Sequence, residues 1–192
     1  MTKVRTYFLV IMIVILLGIG SGTTAIAATI TEDSPTSNYN VYLKLDGICG
    51  ESKAVRYANW IELSGVEFNV SNSFSATASG AGGATGKAEM DQFVISKAYD
   101  CSSIPLMMDS LSGKHIKNGQ LVFVRPSSDQ SIPVLKIDLD NVTIVNYQFS
   151  MMNETVSFQV GSIQFSYTAQ DDKGGKKLPI QGGWDFIANQ MK

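Results

Sequence analysis

From Tyr39 onward the chain alternates apolar and polar positions with the period of a half-buried β-strand. Val41, Leu43 and Leu45 are interleaved with Tyr42, Lys44 and Asp46, and Gly47 and Gly50 end the run. The same pattern predicts strands over 60–70, 92–99 and 120–125. Between the second and third strands, 71–86 is rich in small residues and reads as a long loop. Pro126 and the polar stretch 127–130 make a turn. Leu135, Ile137 and Leu139 then alternate with Lys136, Asp138 and Asp140, putting the two aspartates on a solvated face. Past Asn141 the apolar phase slips, and Val145, Tyr147 and Phe149 resume it. Val156, Phe158 and Val160 alternate on even numbers, whereas Ile163, Phe165 and Tyr167 do so on odd ones. A change of phase at Gly161-Ser162 predicts a bulge or bend, since a strand swaps faces only if a residue is inserted. Long strands that bend are what barrel closure needs. A hairpin turn over 171–175 leads to a last short strand carrying Trp184 and Phe186.

One helix interrupts the strands. Ser102 or Ser103 serves as its cap, Pro105 lies in its first turn, and Gly113 stops it with Lys114 beside the negative end of the dipole. Ile104, Met107, Met108 and Leu111 fall at helical spacing. They predict the face packed on the sheet, with the methionines as core filler. The fold class read from these elements is mainly β, an antiparallel, closed or nearly closed barrel with one short α-helix.

The first 27 residues differ in kind. Lys3 and Arg5 precede an apolar run over 7–19, then small residues ending in Ala25-Ile26-Ala27. A cationic start, a short apolar span and a small-x-small cut site describe a secretory signal peptide. The apolar run falls short of the roughly 20 residues a permanent membrane helix requires. Residues 28–38 read as a flexible polar leader, and 39–192 as the barrel domain. Of 192 residues, 15 are basic and 17 acidic, and the leader holds two of the basic ones. The mature chain therefore carries a net charge of about −4, with Lys176-Lys177 as its only basic doublet. That gives no positive footprint for nucleic acid.

Little points to chemistry. The glycine-rich stretch over 80–87 resembles a phosphate loop only superficially, because Ala81 stands where the first glycine belongs and Ala88 where the magnesium-binding hydroxyl belongs. His115 is the sole histidine, no G-x-S-x-G elbow exists, and a position just past a helix stop suits packing or capping. Asp171-Asp172 lacks calcium-loop spacing. No catalytic residue, cofactor or metal is expected. Cys49 and Cys101 both lie in the mature region, where an oxidising compartment permits a disulfide. A bond would close a loop of about 50 residues, worth about 3–4 kcal/mol. Two thiols that never meet are the alternative.

The first strand and its loop carry a more specific pattern. Val41 through Asp46-Gly47-Ile48, followed by Gly50-Glu51-Ser52, resembles the opening of the haemolysin-coregulated protein (Hcp) family, the tube protein of type VI secretion. In the family's order come Ser112-Gly113-Lys114-His115-Ile116, Glu154-Thr155-Val156-Ser157-Phe158, Phe165-Ser166-Tyr167-Thr168 and Gly183-Trp184-Asp185. The resemblance implies a two-sheet barrel with a flanking helix, hexameric rings that stack into a tube, and association with effector or spike proteins. It also implies an inter-ring loop, either 47–59 or 71–86. The chain departs from the family in its signal peptide, and in Cys49, where the family has no fixed cysteine. It therefore reads as an exported, self-assembling Hcp-like protein that meets a membrane only through its leader, secreted or periplasmic. The alternatives are an Hcp-fold binding protein exported without a type VI apparatus and, least favoured, a hydrolytic effector.

Overall fold

The computed structural model describes residues 39–75, 84–126, 132–169, 175 and 177–192. The signal peptide, the polar leader, the turn over 127–130 and most of that over 171–175 lie outside these residues. The strands are β1 (Asn40–Leu45), β2 (Ile61–Leu63), β3 (Gly65–Ser75), β4 (Ala84–Ala98), β5 (His115–Arg125), β6 (Ile132–Ser150), β7 (Asn153–Tyr167), β8 (Ile180–Asp185) and β9 (Gln190–Met191). The helix α1 (Ser103–Ser112) lies between β4 and β5.

The strands form one antiparallel sheet in the order β2-β1-β5-β6-β7-β4-β3, with β8 added to β7 and β9 to β8. β2 and β3 stand at opposite ends of that order, yet only Ser64 separates them in the chain. β2 pairs with β1, β3 pairs with β4, and the Ser64 N–H donates to the Ser96 carbonyl at 2.8 Å. The continuous β2–β3 segment thus joins the two ends of the order, and the sheet returns on itself as a barrel. The two sheets that the resemblance implies are joined here through continuous hydrogen bonding.

Leu43, Leu45, Ile61, Phe93, Ile95, Leu121, Ile137, Leu139, Val142, Ile144, Val156, Phe158 and Ile163 fill the interior, with Leu106 of α1 reaching in among them. The inward residues of β6 change from odd to even numbers across Asn141, and those of β7 change across Gly161. Pairing nevertheless runs unbroken from Asp140↔Ser162 to Val142↔Val160. Both strands switch faces at the same level, so neither slips against the other. Asn141 takes φ 54°, a left-handed conformation that Asn tolerates. A Cβ on Gly161 would stand 2.9 Å from that of Asn141, which reserves the position for glycine. The true inserted residue is Val145 of β6, where pairing steps from Ile144↔Phe158 to Asn146↔Ser157.

Other expectations change too. The strands around the small-residue loop extend to the pair Ser75↔Ala84, so the loop is confined to 76–83, outside the described residues, and Lys87 stands in a strand. Tyr42, expected on a solvated face, is buried beneath the β1–β2 loop, its ring stacked on Tyr57 at 4.6 Å. With Val122, Val124, Ala54 and Trp60 these rings form a second, smaller apolar cluster outside the barrel.

Candidate assembly surface

One end of the barrel gathers the end of β1, the end of β4, the start of β5 and the β6–β7 hairpin. The helix starts here, and a buried polar network seats it. Lys97 and Glu154 are cross-strand partners on β4 and β7, with both side chains fully buried. Lys97 Nζ lies 2.8 Å from Glu154 Oε2, 2.8 Å from Asp100 Oδ1 and 3.2 Å from Ser103 Oγ. The Tyr147 hydroxyl donates to Glu154 Oε1. Burial, and then this carboxylate, hold the Tyr147 hydroxyl well above the ordinary tyrosine range.

The helix cap comes from a different residue than expected. Asp100 Oδ1 accepts the Ser102 N–H at 2.8 Å, and the Ser103 hydroxyl accepts the Asp100 N–H at 2.9 Å. Ser102 itself has helical dihedral angles and no side-chain cap. These reciprocal bonds draw Ser103 inward, and Leu106 and Asp109 follow on the same face, all three buried. Of the face expected to pack on the sheet, Met107 is half-buried and the rest is consequently turned outward. Ile104 is 57% exposed, Met108 47% and Leu111 75%. Beside the start of the helix, Tyr99 packs edge-on against Phe149 at 5.7 Å, and its N–H donates to the Met152 carbonyl. Tyr99, Phe149, Met151 and Met152 are all exposed. One end of the barrel thus presents a set of large apolar side chains to solvent, as interaction surfaces do.

The residues singled out in the sequence distribute around this end. Gly47 has φ 81°, a conformation open to glycine. A Cβ on Gly50 would meet the Trp60 carbonyl at 2.3 Å. Gly50 and Ser52 donate their N–H groups to the Asn59 and Trp60 carbonyls, and Ser52 returns its own carbonyl to the Asn59 N–H. Gly50 and Ser52 therefore set the path of the β1–β2 loop. Glu51 reaches across it to accept the Cys101 N–H at 2.9 Å, and the Cys101 thiol lies 3.1 Å from the Cys49 carbonyl. Asp46 accepts from Asn118 at 2.7 Å. Gly113 caps α1 at φ 64°, and the Lys114 ammonium pairs with Asp109 at 3.1 Å. His115, expected to pack or cap, is exposed at the start of β5 and bonded to Thr143. Trp184 lies away from these residues, packed against the core from β8. The sequence reading gives Lys97 no role and Glu154 only a place in a family motif, although each occupies an apolar-phase position, after Phe93 and Ile95 and before Val156 and Phe158.

A shallow polar groove of about 360 Å³ runs along the outer wall, lined in part by Lys44, Asp46, Trp60, Gln120, Asp138 and Asp140. Its side chains are bonded within the wall: Gln120 and Lys136 to Asp138, and Ser162 and Lys192 to Asp140. Lys192 first, then Ser162, holds the Asp140 carboxyl below its ordinary range. A lowered folded pKa contributes stability above the unfolded value of about 3.9 and loses it as pH falls through the folded one. Asp140→Asn is therefore expected to flatten the loss of stability below about pH 4, read as urea midpoints across that range. Unchanged steepness would show the pair to be without effect.

Among the described residues no three His, Cys, Asp or Glu side chains converge as metal ligands, and no helix is long and apolar enough to cross a membrane. The family model described as type VI secretion system effector, Hcp, matches residues 42–167. The chain belongs to the Hcp family. Hcp1 from Salmonella typhimurium is similar over 80% of this chain and 99% of its own, at 26% identity and a TM-score of 0.64. A structure titled as a type six secretion system protein has the same identity and coverage with a TM-score of 0.73. A type VI secretion system effector from Yersinia pestis covers 76% of this chain and 98% of its own at 25% identity, with a TM-score of 0.56. No curated protein gives a match. In Hcp terms, the barrel and the helix α1 are family architecture. Gly47, Gly50, Ser52 and Gly113 shape the turns of this chain.

Proposed function

We propose that this Hcp protein acts by assembly rather than catalysis: exported copies form hexameric rings that stack, as a tube component or a secreted protein of a type VI system, sheltering or carrying effectors. The observation that carries this reading is the outward apolar face of α1, at Ile104, Met108 and Leu111, beside the exposed Tyr99, Phe149 and Met152. A solvated helix would turn these inward, and a partner subunit gives them burial. The wall carboxylates are bonded to neighbouring amides, hydroxyls and ammonium groups, which gives no nucleophile–base pair. Light scattering on the mature domain across micromolar concentrations tests self-association. Six times the protomer mass is expected, and a monomer throughout would end the tube reading while leaving the fold intact.

The signal peptide adds a second expected result. Cleavage after Ala27 leaves Ala28 as the first residue, within a residue or two, and intact-mass measurement on protein from the native host reads it directly. A mass that retains the first 27 residues would mean an anchor rather than an exported domain.

A further inference from the structure

Cys49 and Cys101 lie 52 residues apart, on the loop leaving β1 and on the approach to α1. The fold brings them together. The Cys101 thiol donates to the carbonyl of Cys49 itself at 3.1 Å, while the Cys101 N–H is held by Glu51 two residues further along the same loop. Both cysteines are exposed. Free cysteine is ordinarily among the most buried residue types, serving as a small apolar side chain, and neither position offers that use. Each backbone is also fixed independently. Gly50 and Ser52 tie the loop to Asn59 and Trp60, and the Asp100–Ser102–Ser103 bonds fix the approach to the helix.

We propose that Cys49 and Cys101 form an intramolecular disulfide that staples the β1–β2 loop to the start of α1, made when the chain meets a disulfide oxidant of small-molecule or protein type. The proposed export supplies such a compartment, but the bond itself rests on the juxtaposition. The Cys49 thiolate attacks the oxidant's disulfide, forming a mixed disulfide and releasing one thiol. The Cys101 thiolate then attacks the Cys49 sulfur and releases the second thiol. Two protein thiols are oxidised, one oxidant disulfide is reduced to two thiols, and the protons pass to those products through water. Burial, then the carboxylates of Asp100 and Glu51, push the Cys101 thiol above its ordinary range. Asp100 lies on its own segment and Glu51 across the gap, and Cys49 adds to the same upward push. The staple would fix the loop that adjoins the exposed apolar face, so it bears on the shape of the proposed contact surface.

The test equilibrates the full mature protein with oxidised glutathione and maps peptides without reduction. The expected result is one linked pair holding Cys49 and Cys101, a loss of two hydrogens in mass, and a melting temperature several degrees above that of the reduced protein. That difference should vanish in Cys49→Ser and in Cys101→Ser. Closure should speed up with pH through about 8.5 and beyond. It should be faster in Glu51→Gln, which keeps the bond to the Cys101 N–H but removes the charge. Two free thiols, a glutathione adduct that never closes, or a link only between copies would each overturn the proposal. Light scattering on the same samples separates the outcomes: rings with free thiols defeat the staple alone, and a stapled monomer defeats the ring alone.

Discussion

Lys97→Met is expected to cost about 3–5 kcal/mol of folding stability, because it leaves a buried carboxylate without its cation. Lys97 Nζ meets Glu154 Oε2 and Asp100 Oδ1, each at 2.8 Å, and neither Lys97 nor Glu154 reaches solvent. Without the ammonium, Glu154 keeps only the Tyr147 hydroxyl, which cannot neutralise it. Ser103 also loses a partner at the first turn of α1. For a chain of this size the loss corresponds to a fall of roughly 6–20 °C in melting temperature. Measurement at one fixed protomer concentration keeps association from contributing to the difference. Lys97→Met combined with Glu154→Leu is expected to recover most of the loss, since an ion pair replaced whole by apolar groups is often neutral. If the single variant falls by less than about 1 kcal/mol, or the double variant recovers nothing, the network does not seat the helix.

The second large effect concerns assembly and leaves folding alone. Ile104→Asp with Met108→Asp is expected to weaken ring formation at least 100-fold, because charge placed at a desolvated contact has no route back to water. Both side chains are already about half exposed in the protomer, so the fold gives up little. Aspartate in the first turn of α1 also lies at the favourable end of the helix dipole, which offsets its own weak helix propensity. The readouts are light scattering against concentration and circular dichroism on the same samples. A protomer that keeps its spectrum and melting behaviour but no longer forms rings is the expected result. Rings that persist at low micromolar concentration would remove α1 from the contact.

The sequence by itself determined the strand content, the barrel's bends, the helix α1 and the glycine turns at Gly47 and Gly113. These follow from local rules: period-2 alternation, glycines where the chain turns, and a proline near a helix start. The change of phase in β7 was written in the apolar positions, whereas in β6 the core takes Val142 and Ile144 and leaves Val145 and Phe149 exposed, and only the pairing shows both strands switching together across Asn141 and Gly161. Periodicity gives two faces and does not say what covers each. The tertiary structure decided that Tyr42 is covered by Tyr57 from a loop, and that α1 turns Ser103, Leu106 and Asp109 inward while Ile104, Met108 and Leu111 face out. Helix orientation was settled by a buried ammonium on β4 that needs Glu154, Asp100 and Ser103 as partners, a requirement stronger than the preference of three apolar side chains for burial. The meeting of Cys49 with Cys101 is likewise a product of closure: two element ends far apart in the chain become neighbours only when β1 and β4 finish at the same end of one barrel.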